Sequence, residues 1–320
     1  MFDVTGIGEI LIDFSPAGVS EAGGKLYEQN AGGGPPNVLS AVASFGGKCA
    51  FIGRVGKDDQ GDYLRNSLES LHIDCSNLTT DPLHNTTLAF VTLDNSGDRS
   101  FSFYRRHGAD LQLASESIDY RLIDTARILH FSTVSMTADP SASATRAAFK
   151  RAREKGVLLS FDPNYRPLLW ESEKAALAAI TEGAEAAHLV KMSREEAQML
   201  TGEAEPEKSC RALLERGPLF AAVTLGPEGC VYASRAQYGR LPSYPAKTID
   251  TTGAGDIFWG TFLVELTKCG KAIEDLNGHE LKKLLILATV AAGISTEKKG
   301  GVTSIPSYER VTAAARSWNP

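Results

Sequence analysis

The chain has no block of lysine and arginine. Its densest basic spots are the pairs Arg105-Arg106 and Lys298-Lys299, and the formal net charge is −6. Proteins that grip nucleic acid carry a basic stripe to meet the phosphates, so a nucleic-acid partner is not expected. Long apolar runs are also missing: none approaches the ~18 residues that a membrane helix requires. Met1-Phe2-Asp3-Val4 is not a basic segment leading into an apolar core, so neither a signal peptide nor a membrane span is expected. Cysteine is sparse and scattered (Cys49, Cys75, Cys210, Cys230, Cys269), with no C-x-x-C pair. That excludes a disulfide framework or a zinc site and suits a reducing cytoplasm.

The common nucleotide and hydrolase motifs are absent too. Gly24-Lys25, Gly47-Lys48, Gly56-Lys57 and Gly270-Lys271 are not followed by Ser or Thr, so there is no P-loop. Gly6-x-Gly8 follows a strand-like run but lacks the third glycine of a dinucleotide fingerprint, which disfavours a nicotinamide oxidoreductase. There is no His-Glu-x-x-His and no Gly-x-Ser-x-Gly, and the six histidines form no spaced cluster. A phosphate site, if the chain has one, must be built differently.

What is present is an ordinary globular composition: 320 residues, 42% hydrophobic and 22% charged, with 30 Gly and 14 Pro. Val4 to Phe14 reads as a first strand that delivers Asp13 at its end. Val38 to Phe45 suits a buried helix, with Pro35 and Pro36 in its first turn, where no N–H partner is lost. Lys48 to Gly56 is a strand and Asp59 to Leu71 an amphipathic helix. Thr86 to Leu93 and Arg99 to Tyr104 alternate as two strands around Asp94-Asn95-Ser96-Gly97-Asp98, a hairpin turn by its chemistry. From Ile128 onward strands and helices alternate: strands at 128–132, 157–162, 188–192, 220–225 and 230–233, helices at 141–155, 174–186, 194–202 and 210–216, then two apolar helices after 256 and at 281–296. This order predicts an α/β fold, a doubly wound and mostly parallel central sheet. A single domain over 1–320 is expected, with a small antiparallel lid formed by segments 14–32 and 86–110. In such sheets ligands sit at the carboxyl ends of the strands. Asp13, Asp162 to Arg166, Lys191 to Ser193 and Gly226 to Gly229 fall there.

One stretch concentrates the chemistry. Asp250-Thr251-Thr252-Gly253-Ala254-Gly255-Asp256 precedes the apolar run Ile257 to Leu266. A helix start leaves N–H groups unpaired and carries partial positive charge. Glycines there let a phosphate approach the backbone, and Asp256 beside them is placed to accept a proton from an attacking hydroxyl.

That stretch, with Gly260 four residues on, resembles the second signature of the ribokinase/PfkB carbohydrate kinase family. Gly32-Gly33-Gly34-Pro35-Pro36-Asn37, continuing to Phe45-Gly46-Gly47 and Ile52 to Asp58, resembles the first. The likeness runs from about Gly6 to Pro306. Gly8 to Phe14, Phe161 to Trp170 and Lys191 to Glu196 look most like the fructokinases. The resemblance implies a ribokinase-like fold and ATP-dependent phosphorylation of a sugar hydroxyl, with fructose going to fructose 6-phosphate. It implies Asp256 as base and Gly253, Ala254 and Gly255 as the anion hole. Asp13, Gly33, Gly34 and Asn37 match sugar contacts, and Tyr104, Arg105 and Arg166 are added as substrate-facing candidates. Thr224, Gly226 and Gly229 match a nucleotide loop, with Lys191 and Ser193 beside it. Glu196 would organise water around Mg²⁺, and Asp250 and Thr252 match a site for K⁺. Ser193 stands where the family has Asn. The lid implies a homodimer. Tyr104-Arg105 also resembles 2-keto-3-deoxygluconate kinases, which take a sugar acid, and a sugar sensor on an inactive kinase fold is a reading of a different class.

Overall fold

The computed structural model describes residues 1–93 and 99–320; the expected turn at Asp94 to Asp98 lies outside them. β1 (Phe2–Ile7), β2 (Leu11–Val19) and β3 (Lys25–Gly32) lead into α1 (Gly34–Ser44), β4 (Cys49–Gly56), α2 (Asp59–Ser70) and β5 (Asp74–Asp81). β6 (Leu88–Leu93) and β7 (Arg99–Tyr104) follow, then a short α3 (Arg121–Asp124), β8 (Ala126–Phe131), α4 (Ser141–Glu154), β9 (Leu158–Phe161) and α5 (Glu173–Ala186). The chain continues through β10 (Leu189–Ser193), α6 (Arg194–Thr201), α7 (Pro206–Glu215), β11 (Phe220–Thr224), β12 (Cys230–Ser234) and β13 (Tyr238–Leu241). It ends with α8 (Ala254–Cys269), α9 (Gly278–Ser295) and α10 (Tyr308–Ser317).

Nine strands form one sheet in the order β13-β12-β11-β10-β9-β8-β1-β4-β5. It is parallel from β11 to β5, and β12 runs antiparallel to β11 and to β13. Alternate side chains of each strand enter opposite cores, as a period of two requires. Phe220 and Ala222 face a core shared with α1, α8 and α9, whereas Ala221 and Val223 face one shared with α4, α5 and α7. α8 is buried without interruption from Asp256 to Thr267, because α1, α9 and the sheet enclose it. An all-round apolar helix is what such a position demands. Its azimuth is pinned by Trp259, whose indole N–H donates to Ser160 Oγ at 2.8 Å and whose ring stacks on Phe262 with centroids 5.2 Å apart.

The expected first strand, Val4 to Phe14, is two strands. The backbone breaks after Ile7 and turns through Gly8 at φ 151°, and β2 then joins a second sheet of order β3-β2-β6-β7. Glu9 lies in the turn and is itself buried, so no exposed polar residue marks the break. This small sheet is not wholly antiparallel: its two hairpins meet through a parallel β2–β6 pair. β5, β13 and α10 are elements that hydrophobic patterning did not anticipate. A Cβ on Gly260 would lie 2.8 Å from Ala41 Cβ and collide with the Val38 carbonyl, so α1 and α8 touch backbone to backbone. Gly260→Val should therefore lower the unfolding free energy by about 1–3 kcal/mol, the usual cost of overpacking, as read by urea denaturation.

Candidate active site

α8 starts at the carboxyl edge of the large sheet. Gly253 caps it with φ 72°, a conformation that favours glycine, and a Cβ there would sit 2.9 Å from Gly301 Cα. The Ala254 N–H leans on the Thr251 carbonyl at 3.2 Å, whereas those of Gly253 and Gly255 have no backbone partner among the described residues. In the first turn Asp256 is 8% exposed. Its Oδ2 accepts from Asn37 Nδ2 at 2.9 Å and its Oδ1 from Asn164 Nδ2 at 3.2 Å. Burial, reinforced by Asp162, pushes its carboxyl up to about 6, against the pull of Lys191, the Asn37 amide and Arg166.

Beneath the helix start lies a buried ion pair, Lys191 Nζ to Asp162 Oδ2 at 2.7 Å. A Cβ on Gly255 would come within 2.9 Å of that ammonium. Burial works to lower the Lys191 pKa, but Asp162, Glu196 and Asp256 outweigh it and the pKa is raised. The ammonium therefore stays charged. Glu196 is pushed up by burial and by Asp162, and Lys191 opposes this. Both Glu196 oxygens are engaged: one accepts from the Tyr165 N–H and the other from the Ser193 N–H, each at 2.7 Å. The second bond closes a capping box with the Ser193 hydroxyl at the start of α6. Deeper still, burial lowers the His130 pKa to about 4, so the ring is neutral against Ser160.

The opposite wall begins where β1 ends. Glu9 is buried, with Oε1 accepting from the Gly34 N–H at 2.8 Å and Oε2 from Ser132 Oγ at 3.1 Å. Burial raises its carboxyl to about 7, against the Gly34 bond and Arg105. Gly34 is wedged between walls: an added Cβ would strike Asn164 Nδ2 and lie 3.3 Å from Glu9 Oε1. Asp13 projects from β2 in register with Asn30 and Ala89. No hydrogen bond reaches its carboxylate among the described residues. Burial pushes it up to about 6, Arg166 eases this, and Asp256 adds to it. Arg166 bonds only to the Tyr165 carbonyl, at 3.1 Å, and has no ion pair among the described residues.

Asp13, Gly34, Asn37, Arg166, Lys191 and Asp256 thus meet in one place, with Gly33 at the turn into α1. Ser193 and Thr224 are register partners at the ends of β10 and β11, and Gly226 and Gly229 follow in the next loop. Asp250 Oδ1 accepts from the Thr252 N–H at 2.7 Å and its Oδ2 from the Gly300 N–H at 3.1 Å, tying the approach to α8 to the end of α9. Two expected substrate residues are placed otherwise. Arg105 is buried and committed: it pairs with Asp110 at 2.7 Å and donates to Thr137 Oγ1 and the Val134 carbonyl. Tyr104 is in register with Leu88, and Leu88 with Ile12, so it lies on the face of the small sheet opposite Asp13. There its ring meets Phe90 at 5.5 Å. Two residues that did not stand out by spacing belong to the cluster, Glu9 and Asn164. A weak signal existed in each: a carboxylate at a strand end, and an amide inside the crowded Asp-Pro-Asn-Tyr-Arg loop.

The pfkB family carbohydrate kinase profile matches residues 1–308. The chain belongs to the pfkB family of carbohydrate kinases. The probable fructokinase-5 of Arabidopsis thaliana is 39% identical to the kinase over 306 residues, covering 95% of this chain and 94% of that protein. A Xylella fastidiosa fructokinase crystallised with ATP superposes at a TM-score of 0.90, with 28% identity and 99% of each chain covered. A Vibrio cholerae O395 fructokinase with fructose, ADP and a calcium ion superposes at 0.87, with 32% identity and 98% of each chain covered. A double mutant of it was solved with fructose, ADP and potassium. The kinase has a ribokinase-like α/β fold and is an ATP-dependent sugar kinase. Among its described residues no helix is long and apolar enough to cross a membrane.

The raised Asp13 pKa has a testable sign. A carboxyl at about 6 in the fold, above its unfolded value, costs stability when ionised. The cost is complete above pH 6 and vanishes below about pH 4. Asp13→Asn should stabilise the kinase by about 1–3 kcal/mol at pH 8 and by nothing measurable at pH 4, in urea unfolding at the two values.

Proposed function

We propose that the kinase phosphorylates fructose at its C6 hydroxyl, with Asp256 as general base. The observation that carries this reading is a buried carboxylate at the mouth of α8, gripped by two amides and adjoining uncommitted N–H donors. The hydroxyl oxygen attacks the γ-phosphorus of ATP, its proton passes to Asp256, and the bond to the β-phosphate oxygen breaks to release ADP. Within the expected anion hole of Gly253, Ala254 and Gly255, the N–H groups of Gly253 and Gly255 supply donors for the charge on the transferring phosphoryl group. Asp13, Gly33, Gly34, Asn37 and Arg166 form the sugar side. Ser193, Thr224, Gly226 and Gly229 form the nucleotide side, and Lys191 adds a fixed positive charge beneath the anion hole rather than a free phosphate ligand.

A divalent metal fits this site as a companion of the nucleotide. Mg²⁺ is commonly held by substrate phosphates, waters and one or two carboxylates. No group of three or more metal-ligating side chains converges among the described residues; Glu196, beside Ser193 at the start of α6, would organise water around the metal. When bound, the metal neutralises charge on the phosphates. Asp250 and the 296–301 loop offer oxygens suited to K⁺, the ion present in the Vibrio cholerae double mutant.

The fructokinase relatives support a neutral ketose. The committed state of Arg105 supports it too, since the guanidinium that would pair with a sugar-acid carboxylate is held by Asp110. The small sheet acts as a lid. Its outer aromatic face, with Phe14, Tyr27, Phe90 and the 67% exposed Tyr104 in ring contact, fits a second copy of the chain. Light scattering should give a dimer mass, and Tyr104→Glu should shift it toward the monomer.

Asp256→Asn should retain fructose binding and lose about 10²–10⁴-fold in kcat, the usual span for a general base. Wild-type kcat/KM should fall as pH drops below about 6, because the protonated carboxyl cannot accept. ADP release across a sugar panel tests the substrate. Turnover of 2-keto-3-deoxygluconate far above fructose would overturn the sugar, and binding without ADP release from any sugar would make the protein a sensor.

A further inference from the structure

We propose that Asn164 is a positioning residue for Asp256, acting as one jaw of a two-amide clamp that keeps the carboxylate aimed and ionised. The proposal rests on the reading of Asp256 as base and deepens it.

Three independent observations single out Asn164. Its backbone sits at φ 51°, in the left-handed region that non-glycine residues seldom occupy. Its Nδ2 reaches Asp256 Oδ1 at 3.2 Å across 92 residues of sequence. The same amide occupies the space that a side chain at position 34 would need, so Gly34 clears a path for it. Asn tolerates left-handed geometry better than most residues, and its amide is a donor that cannot itself ionise beside the base.

The loop that carries Asn164 is anchored on both sides. The Asn164 N–H donates to Asp162 Oδ1 at 3.2 Å, and the next residue, Tyr165, donates its N–H to Glu196 Oε1. The preceding Pro163 carbonyl accepts from Thr133 Oγ1 at 2.6 Å. Glu196 therefore holds the loop in place through its own hydrogen bonds. The other jaw, Asn37, comes from α1. Its Nδ2 serves Asp256 Oδ2, while its Oδ1 is buried with no partner. That acceptor lies beside Gly301. Asn164 comes from a separate loop, so the two amides grip the carboxylate from different elements.

The charged groups around Asp256 make the clamp necessary. Asp162 from the end of β9 and Asp13 from the lid oppose ionisation, and Lys191 from β10 and Arg166 from the loop favour it. A hydrogen bond donated to the charged form stabilises that form.

Asn164→Gly isolates the amide, because glycine keeps the φ 51° backbone without strain. Steady-state kinetics with fructose, ATP and Mg²⁺ should show kcat down about tenfold and the acid limb moved up by about one pH unit, the size of one hydrogen bond to a charged group. KM for ATP should stay within about twofold, because the amide touches the base and not the nucleotide loop. Asn164→Asp, which sets a second carboxylate against Asp256, should move the limb further the same way. The thermal midpoint of Asn164→Gly should match wild type. Wild-type kcat and an unshifted pH profile in Asn164→Gly, with Asp256→Asn inactive, would overturn the clamp alone. Full activity in Asp256→Asn would instead overturn the base assignment beneath it.

Discussion

The structure turns on keeping a carboxylate charged where water is scarce. Asp256 is buried among other acids, and burial pushes it toward the protonated form. What opposes that is assembled from distant parts of the chain: an amide from α1, an amide from the loop after β9, the Lys191 ammonium, and the positive end of α8. Each partner must be placed to within a few tenths of an ångström, and rigid elements place them. Trp259 fixes the roll of α8 through Ser160, the close contact at Gly260 fixes its distance from α1, and Glu196 fixes the loop. The resulting pKa of about 6 leaves the group ionised at neutral pH and still basic enough to take a proton.

The same logic orders the rest of the cleft. Glu9 is a second buried acid, and it serves structure: it pins the first helical N–H of α1 and so sets where Asn37 points. Arg105 stabilises the return of the small sheet into the body through Asp110, Thr137 and Val134. Cations that the sequence offers to a ligand can thus be consumed within the fold, whereas Arg166, beside Asp13 and Asp256, has no ion pair among the described residues.

Much of this was legible in the sequence. The alternation of strands and helices from Ile128 onward gave the doubly wound sheet, because buried parallel strands are short apolar runs punctuated by glycine. Gly253 and Asp256 stood out because glycines and a carboxylate gather at the start of an apolar helix, whereas Asn37 stood out only through the family resemblance. The break at Gly8 was not legible, since the residues on either side are buried and the one polar residue in the turn, Glu9, is buried with them. β5 was missed because Asp74-Cys75-Ser76-Asn77-Leu78-Thr79-Thr80-Asp81 is a polar edge strand, and α10 because it buries little beyond Val311. Tyr104 failed on parity: one residue along a strand reverses the face, and only the register shows which face looks at Asp13. Asn164 was hidden because its partner is far away in the chain and its left-handed backbone leaves no pattern in a single sequence.

The close seat of Gly260 against α1 also bears on how the protein is made. α1 is synthesised early, yet the surface around Val38 and Ala41 is covered by α8, which comes late. On the ribosome, the N-terminal half must wait with an apolar face open to solvent until the last helices emerge. That interval is when such a chain is most prone to stick to its neighbours. The helix that carries Asp256 also ends the exposure, so a nascent chain lacks a closed core until that helix has been made.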